Sequence, residues 1–162
     1  MAEIALEFAE KQFLKFAKAY KFKRGIELEW LDFDSNQKEG WDFRGIDILT
    51  RGIIPIQYTE VIVNQYQKKN IEAAKRGEYE FQSAYGIRPF TEAVDEAYKK
   101  KLINADKSLI LLIGFHDIFY DRNNHFDLID EIPKFMINKY KHCEYKELWI
   151  VNKADQSCDL IF

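Results

Sequence analysis

The stretch GIDILTRGIIPIQYTEV, Gly45 to Val61, decides the fold. It places Asp47 in one apolar run and Gln57-Tyr58-Thr59-Glu60 in the next, with Arg51-Gly52 between them as a short connection of the kind that makes antiparallel neighbours. Along the second run Ile54, Ile56 and Tyr58 share one face, while Gln57 and Thr59 point together to the other. Two segments that otherwise read as buried strands thus carry polar groups. The expectation is that the short connection brings Asp47 beside Gln57 and leaves an oxygen-rich gap of a size for a hard divalent cation. Magnesium takes carboxylate and carbonyl oxygens and keeps several waters. Such an ion activates water and neutralises charge on a scissile phosphate.

Working outward, GIELEWLDF alternates upstream, with Ile26, Leu28 and Trp30 on one face and Glu27 and Glu29 on the other, the period-two pattern of a strand. Ahead of it, Leu6, Ala9, Phe13, Phe16, Ala17 and Tyr20 recur at helical steps, and Gly25 closes that amphipathic helix. Three strands therefore form a meander behind a helix. Pro55 has no N–H to donate and belongs at the beginning of the third strand or beside a bulge.

Downstream, residues from about Asn64 to Arg76 read as a helix, and TEAVDEAYKKKLIN as another with Thr91 as its N-cap. SLILLIGF is a continuous apolar run that fits a strand buried on both faces. FDLIDEIPKFMINKYKHC sets Leu128, Ile132, Phe135, Met136 and Tyr140 on one helical stripe, with its regular part beginning near Pro133. YKELWIVNK and CDLIF end the chain as strand, turn and short strand. The fold class is α/β: a mixed sheet, antiparallel at the front and parallel where helices cross over between later strands.

With 162 residues the chain reads as one domain, 1–162, long enough to bury roughly two-thirds of its unfolded surface. A 47% hydrophobic and 15% aromatic composition argues against disorder. The N-terminal twenty residues interrupt their apolar positions with charges, so the expectation is a cytoplasmic protein with no membrane association. Cys143 and Cys158 stand far apart in no metal or disulfide spacing and read as reduced packing residues. A net charge of -3 supplies no overall basic field for nucleic acid, although a local lysine groove can still bind phosphates.

The element order, together with GIDI followed by IPIQYT, resembles the PD-(D/E)XK nuclease superfamily, and most of all its Mrr-type restriction-endonuclease branch. There a strand reading Gly-Ile-Asp precedes one reading Gln-x-Lys. The likeness spans nearly the whole chain in topology and about fifteen residues in sequence. It implies a restriction-endonuclease-like fold and a magnesium-dependent endonuclease acting on DNA. Asp47 and Gln57 match the metal ligands, and Thr59 falls where the lysine that orients the attacking water belongs. A hydroxyl cannot supply that charge, so Lys68, Lys69 or Arg51 would have to reach the site in its stead. In the family a glutamate of the first helix often assists. Glu10, bordering the buried stripe, is the candidate here, while Glu3, Glu7 and Glu10 also suit the helix N-terminal dipole.

Two classes stay open: a divergent metal-dependent nuclease-like domain that cuts or binds DNA, and a catalytically silent interaction protein or homodimer that buries its spare aromatics. Other motifs carry less. Asp32, Asp34 and Asn36 have calcium-loop spacing, but Gln37 and Phe43 occupy the positions of that loop's glycine and final glutamate. His116-Asp117 follows the central strand, where α/β proteins often bind ligands. Tyr79, Phe81, Tyr85 and Phe90 offer either base-stacking surfaces or ordinary packing.

Overall fold

A computed structural model describes residues 2–34, 36, 38–61, 90–115, 122–153 and 156–162. Helix α1, Ala2–Arg24, leads into the meander β1, Leu28–Phe33, β2, Phe43–Asp47, and β3, Ile53–Glu60. Helix α2, Phe90–Leu102, precedes β4, Ile110–Phe115; helix α3, Arg122–Tyr140, precedes β5, Glu147–Asn152, and β6, Cys158–Leu160, ends the order.

The six strands form one sheet in sequential order, β1 to β6. Neighbours are antiparallel at β1–β2, β2–β3 and β5–β6, and parallel at β3–β4 and β4–β5. Two successive parallel steps in one direction across a sheet, each with the usual right-handed crossover, put both crossing helices on the same face. Accordingly Phe90, Val94 and Tyr98 of α2 and Ile132 and Met136 of α3 share one core with Leu111, Ile113, Leu148 and Ile150. On the opposite face Phe13, Phe16 and Tyr20 of α1 pack on Ile54, Ile56, Ile110, Leu112 and Trp149. The result is three layers, with each large apolar side chain contributing about 2 kcal/mol by its burial.

Local chemistry agrees with most boundaries. Gly25, with φ 69°, takes the left-handed conformation just past α1, and its N–H bonds the Lys21 carbonyl at 2.8 Å, closing the helix. Pro55 lies where β3 has β2 on one side and has not yet met β4, whose pairing begins at Ile56. Every residue of β4 is buried, as a central strand requires, and so is every residue of β5. Two expectations change. Helix α2 already includes Phe90, which places Thr91 inside it and not at its cap. Helix α3 runs through Pro133 and does not begin there, because Ile132 and Met136, on either side of it, are anchored in the core. The helix expected over 64–76 lies outside the described residues.

Asp95 ties α2 to α3. It accepts hydrogen bonds from Lys139 Nζ at 2.6 Å and from the Tyr140 hydroxyl, with Lys99 at 3.1 Å. Burial pushes its carboxyl up, but these donors outweigh burial and hold it below the usual carboxylate range. A depressed folded pKa gives stability that is present above the unfolded value and lost as pH falls through the folded one. Asp95→Asn should therefore cost about 2 kcal/mol at pH 7, and the gap to the native chain should close in urea melts below about pH 4.

Candidate functional site

The β2–β3 hairpin places the site. Its tip is closed by Asp47 N–H to the Gly52 carbonyl and Arg51 N–H to the Asp47 carbonyl, both at 2.8 Å. Pairing then counts away from that tip: Ile46 faces Ile53, Gly45 faces Ile54, and Phe43 faces Ile56. The pairing ends at Phe43 and Ile56, and Asp42 lies just beyond it next to Gln57: its N–H bonds the Ile56 carbonyl at 2.9 Å and its Oδ2 accepts the Tyr58 N–H at 2.7 Å.

Asp47 is not beside Gln57. It sits five residues further along β2, roughly 17 Å away at the rise of an extended strand. Its Oδ1 accepts the turn amides of Leu49 at 2.9 Å and Thr50 at 3.3 Å, and the Leu49 N–H, followed by the Thr50 side chain, holds its carboxyl below the usual range. Asp47 serves the turn. Reading the connection at Arg51-Gly52 missed Asp42, because the tip closes over 48–51 and the pairing of both strands is counted from there.

Gln57 is only 5% exposed. The Tyr145 hydroxyl lies 2.7 Å from its Oε1 and 2.7 Å from the Lys101 carbonyl at the end of α2. A phenol has one hydrogen, so it donates to one of these at a time; with the Gln57 amide turned over, the amide donates to Oη while Oη donates to Lys101. Burial pushes the Tyr145 phenol up, keeping it neutral for this role. Thr59 follows on the same face of β3, half-buried and paired with Ile113.

The remaining candidates do not assemble with them. Glu10 is exposed on α1, and α1 covers the Ile54 and Ile56 face, so the sheet stands between Glu10 and Gln57. Arg51 is exposed at the hairpin tip with φ 63°, at the end far from Gln57. Lys68 and Lys69, like His116 and Asp117, lie outside the described residues, as do Tyr79, Phe81 and Tyr85. Phe90 is buried against Phe115. Glu60 points to the α1 side, held by Lys153 at 2.9 Å and by the Tyr58 hydroxyl at 3.3 Å. Asp32 is engaged by Arg44, and Asp34 caps the amides of Lys38 and Glu39, which accounts for both without calcium.

Electrostatically, burial pushes the Asp42 carboxyl up, while the Tyr58 N–H and then the charge of Lys101 draw it down. Among the described residues no three His, Cys, Asp or Glu side chains gather. Magnesium is nevertheless held by one or two carboxylates with most of its waters kept. Asp42, with its Oδ2 bonded to the Tyr58 N–H, supplies the chemistry of one direct oxygen ligand for such a water-rich ion.

Compared with protein-family models, with curated proteins and with solved structures, the chain matches none. No described helix is long and apolar enough to cross a membrane.

Proposed function

We propose that this chain is a divergent restriction-endonuclease-like domain that engages nucleic-acid phosphodiesters through a magnesium ion held at Asp42. One observation carries the reading: in a mixed sheet preceded by a helix, an acid, Asp42, brackets Gln57 through its bonds to the Ile56 carbonyl and the Tyr58 N–H. Magnesium bound there would supply charge neutralisation for a phosphate. Asp42 would hold the ion, and the Tyr145 hydroxyl pairs with the neighbouring Gln57 amide. Lys100 and Lys101 at the end of α2 add local positive charge for a phosphate backbone on an otherwise acidic protein.

Thermal melting in magnesium or manganese chloride tests this. At tenfold excess over Kd, binding to the folded state alone contributes about 1.4 kcal/mol, a rise in Tm of roughly 4 °C for a chain of this size. The native chain and Asp47→Ala should show the rise and Asp42→Ala should not. The competing reading, a self-associating interaction protein, draws on Leu49, 89% exposed, and Ile53, 51% exposed, at the same end of the β2–β3 hairpin. A melting temperature indifferent to metal, with a dimer in sedimentation, would decide for it.

A further inference from the structure

Residues 11–24 of α1 hold six cations and no acid, on a chain whose net charge is -3. Three of the six are used: Lys15 is buried, Lys21 pairs with Glu27 at 3.4 Å, and Arg24 pairs with Glu147 at 3.1 Å. Lys11, Lys18 and Lys23 are exposed, and Lys18 and Lys23 have no ion pair among the described residues. The helix dipole favours cations in the last turn, which covers Lys23, but its reach ends before Lys18. With these two lysines stands Phe22, 91% exposed. All three line one pocket of about 430 Å³, whose other walls include Trp149 and Leu160, with Asp159 contributed by β6.

We propose that this pocket, between the second half of α1 and β6, takes a base of a single-stranded nucleic acid, with Phe22 as its stacking surface and Lys18 and Lys23 on the flanking phosphates. The occupant follows from what the walls require together. Two ammoniums without partners call for an anion, and a benzyl ring left in water calls for a flat apolar surface. A nucleotide of a single strand joins both, a base with two open π faces beside a phosphate, whereas a duplex has its bases already stacked. Asp159 repels a phosphate from the β6 side and suits the amino or imino hydrogens of a base edge, so the charges set the backbone along α1 and the base toward β6. An acidic peptide would satisfy the lysines with no use for the ring. A bilayer calls for an open apolar face, not a pocket with an acid in its wall. The proposal does not rest on an ion at Asp42: α1 covers the sheet face opposite Gln57, and β6 is the edge of the sheet far from β1 and β2.

The test is the fluorescence anisotropy of a labelled oligothymidylate of about twelve nucleotides, titrated with the full chain at low salt in EDTA. The native chain should bind, Phe22→Ala should weaken binding roughly tenfold, and Phe22→Trp should keep the native affinity or better it. Because Phe22 is so exposed, these changes leave the fold intact, and an unchanged Tm checks that. Lys18→Gln combined with Lys23→Gln should reduce the slope of log affinity against log salt by about 1.4, the value for two phosphate contacts on a single strand. Asp42→Ala should bind as the native chain does; binding lost with Asp42 would run the strand over the cation site and overturn the assignment. Native affinity in Phe22→Ala, a salt slope unmoved by the lysine changes, or equal affinity for the same strand paired with its complement also overturns it. Full competition by polyglutamate or by anionic phospholipid vesicles at equal charge does so too, giving the patch to an acidic protein or to a membrane.

Discussion

Gly114→Ala should destabilise the chain by about 3 kcal/mol, although the change adds one methyl group to a central strand that normally tolerates alanine. Gly114 lies on β4 beside β3, and a Cβ there would overlap the Tyr58 hydroxyl and come within 2.8 Å of Tyr58 Cζ. Tyr58 has little freedom to yield. Its ring meets Phe8 edge-on at 5.7 Å, its hydroxyl reaches Glu60, and its N–H is bonded to Asp42. Displacing the ring forfeits roughly 2 kcal/mol of apolar burial and about 1 kcal/mol of aromatic contact. Urea melts check the loss. In a Tyr58→Ala background the same glycine change should become nearly neutral, and a cost that persists there would mean that the obstacle is something other than Tyr58.

Trp149→Ala should cost about 4 kcal/mol, lowering Tm by roughly 12 °C. Trp149 is fully buried on β5, perpendicular to Phe16 at 5.4 Å and 6.0 Å from Tyr20. It is the centre of the core beneath α1. Its Nε1–H also bonds Glu147 Oε2 at 3.0 Å, an oxygen shared with Arg24 at 3.1 Å. Truncation therefore opens a cavity between α1 and the sheet and removes one donor from a buried carboxylate. Trp149→Phe, which keeps most of the ring contacts, should recover more than half of the loss in the same melts. Equal destabilisation by both variants would put the indole hydrogen bond, and not packing, in control.

Much of the fold was legible because alternation and periodicity are local. Ile26, Leu28 and Trp30 lean to one core, and Phe13, Phe16 and Tyr20 form one stripe, from spacing alone. The continuous run in β4 announced a strand covered on both sides. Lys15 shows where such reading ends. Its side chain is 2% exposed, yet nothing in its neighbours in sequence marks it for burial. Its ammonium is accommodated because the carbonyls of Asn152 at 2.8 Å and Lys153 at 3.0 Å meet it from the far end of β5. No local pattern encodes a partner that distant.

The candidate site divides in the same way. Residue identity and the two-residue period settled that Gln57 and Thr59 share a face, that Glu60 opposes them, and that no lysine stands on β3 at the Thr59 position. Tertiary structure decided which acid meets Gln57, since cross-strand pairing is counted from the hairpin tip and hands Asp42 the place that a motif read along the chain gives to Asp47. It also decided that Glu10 is cut off and the end of α2 brought near Gln57 through Tyr145, because α1 and α2 lie on opposite sides of one sheet, and a side chain cannot reach through it.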